Sequence, residues 1–114
     1  MPPDLEETAE QVFAALADPT RRSVMRLVSV HGTATATELA APLGVSRQAV
    51  AKHLAVLADA GLVDARREGR ETRYRPTPAP FGDAISWMTQ VGAAWDDRLA
   101  ALERQVERRR ARSS

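Results

Sequence analysis

Apolar residues in the first 60 positions recur every three or four residues, which is the spacing of one helix face, and predict four short helices. The first covers about residues 5–17, with Asp4 and Glu7 as a capping box at its start. Asp18 and the proline after it begin the second helix, which Gly32 ends. The apolar faces consist of Leu5, Ala9, Val12, Phe13 and Leu16 in the first helix and of Val24, Leu27 and Val28 in the second.

The third and fourth helices follow each other closely and form a helix-turn-helix pattern over about residues 35–60. Thr35 and Glu38 predict a capping box at the start of the third helix, and Gly44 suits the tight turn after it. Ser46 caps the fourth helix. The apolar residues expected to hold this pair of helices in place are Leu39, Leu43, Val45, Val50, Leu54, Val56 and Leu57.

After the fourth helix the period changes from 3.6 to 2, which predicts a β-hairpin over about residues 62–77. The two strands cover residues 62–68 and 71–77, and the two-residue turn Gly69-Arg70 joins them. Prolines that follow the second strand prevent further pairing and lead into a last helix. A hairpin in this place is typical of the wing of a winged helix-turn-helix domain.

Residues 80–110 have the clearest periodicity in the chain and predict one helix about 46 Å long at 1.5 Å per residue. Its apolar positions alternate steps of four and three residues, a heptad seam of Phe81, Ile85, Met88, Gly92, Trp95, Leu99, Leu102 and Val106. Such a helix could pack on its own domain alone, but we favour pairing with a second copy across a two-fold axis. The expected dimerisation residues are Leu5, Val12, Ile85, Met88, Gly92, Trp95, Leu99, Leu102 and Val106.

The element order is therefore α-α-α-α-β-β-α, a mainly α fold with a small β-hairpin. This order is that of a winged helix-turn-helix with one helix added at each end. A chain of 114 residues suits a single domain over 1–114. Within it we place the helix-turn-helix at about 35–60, the wing at about 62–77, and the dimerisation helices at about 5–17 and 80–110.

The composition excludes several classes of function. The chain contains no cysteine, so it has no disulfide, no thiolate nucleophile and no Cys-based metal site. No apolar run reaches the 18 residues of a transmembrane helix, and the acidic start is unlike a signal peptide. The two histidines lie far apart, and no Gly-rich phosphate loop is present. We therefore expect a cytoplasmic protein without membrane contact that is not an enzyme and needs no cofactor.

Positive charge concentrates in the middle of the chain, although the net charge is only +1. Residues 46–77 carry 7 basic and 4 acidic side chains, against 3 basic and 6 acidic ones in residues 1–45. Arginine supplies nearly all of the basic residues, which reflects a general bias of the composition. The positions of the arginines, and not their number, therefore have to indicate a partner.

The fourth helix carries the residue types that read DNA. In a helix-turn-helix this second helix enters the major groove, and its N-terminal residues reach the base edges. Gln pairs with adenine, Arg pairs with guanine, and Lys suits a base or a phosphate. The face away from Val50 and Leu54 carries the candidate DNA contacts Arg47, Gln48, Ala51 and Lys52, and the cap residue Ser46 is a further candidate. The alternative is a solvated polar helix face.

His53 follows these residues and has three interpretations. It could contact a phosphate or a base, it could be a structural histidine packed at the base of the wing, or it could bind a metal. No second ligand lies near it in the sequence, so we disfavour metal binding and keep His53 as a candidate DNA contact.

Arginines surround the tip of the predicted wing. Arg70 lies in the turn itself, and an arginine there is suited to a narrow minor groove with its strong negative potential. Arg67 and Arg73 flank the turn and are further candidates for DNA contact. The alternative is a solvated wing whose charge is balanced by Glu68 and Glu71.

Several segments taken together resemble the ArsR-type winged helix-turn-helix repressors, over about residues 10–77. These segments are Val12–Arg22, Glu38–Ala40, Ser46–Leu54, Leu57, Ala60–Val63, Gly69-Arg70 and Tyr74. The resemblance implies a homodimer that is built from the first and last helices and represses transcription from a palindromic operator. It also implies that Ser46 and His53 lie on the DNA side.

The chain departs from the metal-sensing members of that family. Such members often carry cysteines in or just before the helix that opens the motif, here Thr37–Ala40, or His and acidic pairs on the last helix. No cysteine is present, and residues 80–114 contain no histidine. We therefore expect no bound metal, and an unknown small-molecule effector or no effector fits the sequence better.

The sequence thus leads to one hypothesis and one alternative. The hypothesis is a homodimeric, sequence-specific regulator that binds double-stranded DNA and is associated with the nucleoid. The alternative is a winged-helix module that binds another protein and no DNA. The combination of Arg47, Gln48, Lys52 and Arg70 favours DNA binding.

Overall fold

The computed structural model describes residues 3–113, with side chains from Leu5 onward. Its elements are α1 (Pro3–Ala15), α2 (Pro19–His31), β1 (Ala34–Thr35), α3 (Ala36–Leu43), α4 (Arg47–Asp59), β2 (Val63–Glu68), β3 (Glu71–Pro76) and α5 (Ala79–Ser113). The predicted mainly α fold with a β-hairpin is confirmed, with one strand added between the second and third helices. The predicted capping carboxyl of Asp4 lies outside the described side chains, and α1 begins two residues earlier than expected.

One buried cluster, to which all five helices and the strands β1 and β2 contribute, holds the helix-turn-helix together. Its largest fully buried side chains are Leu39, Leu54, Leu57, Leu62, Val12, Val24, Val28 and Val50. Two expectations for this core need correction. In α2, Met25 is buried, whereas Leu27, which was expected on the buried face, is only partly buried. In α4, Val56 is exposed. Val56 lies one residue, about 100° of helix rotation, away from the buried Leu57, and therefore points toward solvent.

Arginines close the junction between α1 and α2. Asp18 accepts a hydrogen bond from the backbone N–H of Arg21 at 2.9 Å and so caps α2, as predicted. The Arg21 guanidinium donates to the carbonyl of Ala15, and Arg22 donates to that of Leu16 at 2.7 Å. These carbonyls lie at the C-terminal end of α1, where helix groups have no partner within the helix. The two arginines therefore fix the direction of α2 relative to α1.

The caps of the helix-turn-helix agree with the sequence prediction. Thr35 and Glu38 form a complete capping box at the start of α3. Gly44 has φ +66°, a left-handed conformation that glycine adopts without strain, and it ends α3. The Ser46 hydroxyl accepts a hydrogen bond from the backbone N–H of Ala49 at 3.1 Å and caps α4.

The wing is a three-stranded antiparallel sheet in the order β1-β3-β2. The strand β1 was not predicted, because a two-residue strand has no periodicity of its own. Its pairing places Ala34 opposite Tyr74 and Thr35 opposite Arg73. As a result the wing is hydrogen-bonded to the segment that opens α3. The turn between β2 and β3 has a positive φ at Gly69 and not at Arg70, as in a type II′ turn.

The last helix, α5, is 35 residues long, about 52 Å, and continues past its predicted end at residue 110 to Ser113. Only its first part packs on the rest of the chain. Ala84 is buried against α1, and Trp87 contacts Phe13 edge-on with ring centroids 5.6 Å apart. The apolar seam beyond this contact is exposed. No helix within residues 3–113 has both the length and the apolar character needed to cross a membrane.

Acid should destabilise the fold through two capping carboxylates. The backbone N–H of Arg21 lowers the pKa of Asp18, and the backbone N–H of Thr35 lowers that of Glu38. Because folding lowers these pKa values, the stability that the carboxylates contribute is complete above their ordinary pKa of about 4 and is lost as the pH falls below it. Asp18→Asn keeps a capping side chain that does not titrate. We expect urea denaturation to show a smaller loss of stability for Asp18→Asn than for the natural protein between about pH 5 and pH 3. Equal losses would contradict this role of Asp18.

Candidate nucleic-acid interface

The polar face of α4 lies on the outer surface of the helix-turn-helix. Val50, Leu54 and Leu57 lie on the opposite face and are fully buried. The outward face presents the exposed side chains of Arg47, Gln48 and Lys52 and the half-buried Ala51. A helix fixed by such a buried face can turn only at the cost of the core, so these side chains keep one direction relative to the domain.

A shallow cleft of about 270 Å³ lies between α4 and the wing. It is lined by Thr35, Ala36, Thr37, Arg47, Gln48, Ala51, Arg70, Glu71, Thr72 and Tyr74. The cleft brings Arg70 of the wing tip together with Arg47 and Gln48 of α4, which lie far from it in the sequence. Thr37 and Thr72 were missed as candidate residues. Period-2 alternation places Thr72 on the same strand face as Tyr74, which is the signal that could have identified it.

Three of the candidate cations, Arg47, Lys52 and Arg70, differ from Arg73 and Arg75 of the wing, which form ion pairs. Among the ion pairs formed within residues 3–113, none involves Arg47, Lys52 or Arg70. All three side chains are exposed. The charge of these three residues therefore faces solvent beside Gln48, where an anionic partner would meet it.

Arg73 has a different environment from Arg70. Its guanidinium lies 3.2 Å from Glu38, 3.5 Å from Glu68 and 4.0 Å from Glu71, and it donates to the Thr33 hydroxyl at 3.3 Å. The hairpin register places the two wing glutamates opposite each other, and Arg73 offsets their repulsion. The structure therefore makes Arg73 a link between the wing and α3, and does not group it with the exposed cations.

Arg67 and Ser46 also make contacts within the chain. Arg67 Nε donates to the carbonyl of Gly69 at 3.1 Å and closes over the turn. The Ser46 oxygen accepts the capping hydrogen bond of α4, which leaves its hydroxyl proton able to donate to a second group. Both residues are exposed, so these contacts do not remove them from the surface.

His53 lies on α4, directly after the exposed Lys52. The pKa of Asp18 is lowered chiefly by the backbone N–H of Arg21, and His53 adds a smaller electrostatic lowering. His53 is half-buried and does not line the cleft. His53 therefore does not join Arg47, Gln48 and Arg70 at the cleft. Residues 3–113 contain no group of three or more His, Cys, Asp or Glu side chains with metal-binding geometry.

The candidate dimerisation residues fall into two groups. Val12 is only 1% exposed and belongs to the core of the single chain, because α5 covers that face of α1. Leu5 is half-buried. The α5 candidates, in contrast, are exposed. The exposed fraction is 48–60% for Ile85, Met88, Trp95, Leu99, Leu102 and Val106.

Comparison with known proteins agrees with this architecture. A family profile described as "Helix-turn-helix domain" matches residues 16–66. The chain is 40% identical over 97 residues to a protein of Streptomyces lividans named "Probable mercury resistance operon repressor", covering 85% of this chain and 74% of that protein.

Two solved structures are similar along most of their length. An ArsR-like transcriptional regulator from Rhodococcus sp. RHA1 superposes with a TM-score of 0.77 at 40% identity, covering 87% of this chain and 92% of that one. A homodimeric winged helix-turn-helix DNA-binding domain from Mycobacterium bovis has a TM-score of 0.59 at 26% identity, with 82% and 83% covered. Together with the helix-turn-helix geometry, these matches confirm the resemblance found in the sequence. The chain belongs to the ArsR-type family of winged helix-turn-helix transcriptional regulators.

Proposed function

We propose that this protein is a homodimeric transcriptional repressor that binds a palindromic DNA operator. In each subunit α4 enters the major groove and the tip of the wing reaches the adjacent minor groove. Residues 1–114 act as one domain in this proposal, with α1 and α5 joining the two copies. The protein works on the nucleoid in the cytoplasm and has no enzymatic activity.

The observation that carries this proposal is the cleft between α4 and the wing. Arg47, Gln48 and Lys52 on α4 face outward together with Arg70, while other arginines of the wing contact groups within the domain. The three exposed cations supply phosphate attraction, and Gln48 supplies a base-reading amide. If the polar face of α4 only contacted water, there would be no reason for Arg70 of the wing to lie at the same cleft.

A second copy is part of the proposal because one recognition helix reads only half of an operator. Half-sites about one helical turn apart require two such helices in a fixed relation. Large apolar side chains of the α5 seam are exposed along the helix, which supports their burial against a partner. The Mycobacterium bovis relative is described as homodimeric.

The proposed repressor does not sense a metal through thiolates. Its Streptomyces relative is named for mercury resistance. This chain has no cysteine to supply the soft ligands that such an ion prefers. We therefore propose that any signal reaches the protein through a small-molecule effector of another class.

Binding to the DNA upstream of the protein's own gene tests the proposal. We expect retention of this DNA in an electrophoretic shift assay, with affinity that falls as salt is raised. Fragments selected from the whole genome provide the comparison set. Absence of salt-sensitive binding to both would overturn the proposal and leave a module that binds another protein.

The first variant is Gln48→Ala, which removes the amide that reads a base. We expect a loss of about 1–3 kcal/mol per half-site and a relaxed preference at one base pair. Binding to a panel of operators changed at single positions measures both effects. An unchanged preference at every position would show that Gln48 does not read a base.

The second test compares two arginines of the wing. Arg70→Ala removes an exposed cation, so we expect weaker binding to all sequences, a salt dependence reduced by about one counterion per half-site, and unchanged stability. Arg73→Ala removes the link between Glu38, Glu68 and Glu71, so we expect a lower melting temperature. A melting temperature lowered equally by the two changes would contradict the distinction between them.

The third variant is Leu99→Asp, which places a charge in the middle of the exposed seam. We expect it to separate the dimer and to weaken operator binding, because a buried unpaired carboxylate is costly. Sedimentation velocity measures the association state, and the shift assay measures binding. Ala101→Asp is the matched control, because Ala101 is exposed and lies about 200° of helix rotation away from Leu99. A Leu99→Asp protein that stays dimeric would contradict the seam as the interface.

A further inference from the structure

Three hydroxyl side chains line the cleft between α4 and the wing beside its two arginines. Thr37 comes from the start of α3, and Thr72 and Tyr74 come from β3. Arg47 of α4 and Arg70 of the wing turn line the same cleft. Thr72 and Tyr74 are half-buried, whereas both arginines are exposed, so these two hydroxyl residues lie deeper than the cations. Thr37, Thr72 and Tyr74 together are the cleft hydroxyls.

The cleft hydroxyls have no hydrogen-bond partner within the described part of the chain. No side-chain hydrogen bond there involves any of the three. Every buried side-chain oxygen or nitrogen of the same residues does have a partner. Because Thr72 and Tyr74 are half-buried and make no such bond, their hydroxyl oxygens must reach the molecular surface. Each hydroxyl can therefore donate its proton to an acceptor from outside the chain.

The alternation of β3 separates these hydroxyls from the charged residues of the strand. Successive residues of a strand point to opposite faces, so Thr72 and Tyr74 share the face that lines the cleft. Arg73 and Arg75 lie on the other face, and both form ion pairs. The strand therefore presents uncharged donors to the cleft and keeps its guanidinium groups in contacts within the domain.

We propose that the sugar-phosphate backbone of the DNA crosses this cleft and that the cleft hydroxyls donate hydrogen bonds to its phosphate oxygens. The inference rests on the proposed function and adds a contact surface to it. In that function α4 lies in a major groove and the wing tip lies in the adjacent minor groove, and one backbone separates these two grooves of a duplex. This backbone has to pass between α4 and the wing tip, which is where the cleft lies.

The chemistry of the cleft fits a phosphodiester. A phosphodiester has acceptor oxygens and a negative charge, and Thr and Tyr hydroxyls are among the side chains that contact it in protein–DNA complexes. Arg47 and Arg70 add positive charge to the same cleft. The lining also contains the carboxylate of Glu71, which lies 4.0 Å from the guanidinium of Arg73. Two guanidinium groups against one carboxylate leave the lining with a net positive charge.

The size and composition of the cleft favour a strand of DNA over a small molecule. Pockets for small molecules are mostly apolar and have volumes of about 300–1,000 Å³. This cleft is shallow, has a volume of about 270 Å³, and is lined largely by polar and charged residues. An extended backbone that enters at one end and leaves at the other suits such an open groove.

Tyr74→Phe removes one of the cleft hydroxyls and leaves the ring in place. This hydroxyl has no partner within the described residues, so we expect an unchanged melting temperature. Shift assays should show binding weakened by about tenfold per half-site, because a hydrogen bond to a charged acceptor is lost. The loss should be equal for all operator variants, since phosphate contacts carry no direct sequence information. The salt dependence should stay the same, since a neutral hydroxyl releases no counterion.

This combination distinguishes the cleft hydroxyls from the other two kinds of DNA contact. Arg70→Ala should reduce the salt dependence, and Gln48→Ala should change the preference at one base pair. Thr72→Val should behave as Tyr74→Phe does, because valine has the shape of threonine and suits a strand. Thr77→Val is the matched control, because Thr77 is half-buried like Thr72 but does not line the cleft. Its affinity for DNA should equal that of the natural protein.

Neutral methylphosphonate linkages, placed one at a time along the operator, locate the contact. Where the backbone crosses the cleft, such a linkage removes the charge that the Tyr74 hydroxyl meets in the natural protein. We expect the loss of affinity there to be at least about threefold smaller for Tyr74→Phe than for the natural protein, because two changes to one contact are not additive. At the other positions the two proteins should lose affinity by the same factor.

Three outcomes would overturn this inference and leave the proposed function standing. The first is unchanged affinity of both Tyr74→Phe and Thr72→Val for DNA that Gln48→Ala binds more weakly. The second is a loss of affinity confined to particular operator sequences, which would make the hydroxyls base contacts. The third is an equal loss for Tyr74→Phe and the natural protein at every methylphosphonate position. A natural protein that binds no DNA would overturn the proposed function as well.

Discussion

The burial of one face of α4 is the constraint on which the rest of the structure depends. Val50, Leu54 and Leu57 are fully buried, and they fix the rotation of the helix about its axis. A turn of the helix by one residue would bring Ala51 and Lys52 toward the core and withdraw Gln48 from the surface. The direction of the candidate DNA-reading side chains is therefore set by leucine and valine packing, and those side chains themselves contribute little to it.

In the wing, the ion pairs of Arg73 help to position the turn that carries Arg70. Arg73 lies among three carboxylates and ties the hairpin to the capping box of α3. The short strand β1 strengthens the same connection through its pairing with β3. These contacts hold the wing tip at a fixed distance from α4, so that Arg70 can keep its charge exposed beside the cleft. The number of arginines in the hairpin alone would not distinguish Arg70, which is exposed, from Arg73, which forms ion pairs.

Features that depend on residues close together in the sequence, such as helix caps and turns, could be predicted from the sequence. The caps at Asp18, Thr35 and Ser46 and the turn at Gly44 were predicted correctly, because each needs only residues within a few positions. What depends on contacts between distant segments was missed. The strand β1 exists only because β3 lies beside it, and the network of Arg73 depends on strand register. The burial of Val12 followed from the packing of α5 on α1, which periodicity alone cannot show.

In the proposed dimer, the distance between the two copies of α4 depends on a series of packed contacts within each chain. α5 packs on α1 through Ala84 and Trp87, Arg21 and Arg22 fasten α1 to α2, and α2 shares the core with α4. A dimer joined through α5 therefore transmits its geometry to both copies of α4 with little flexibility. Since the spacing of half-sites on DNA is fixed by the helical repeat, a small change in the α5 pairing would move the two helices out of successive grooves. An effector would need to act only at this pairing to release the operator, and it would need no contact with the DNA-reading residues.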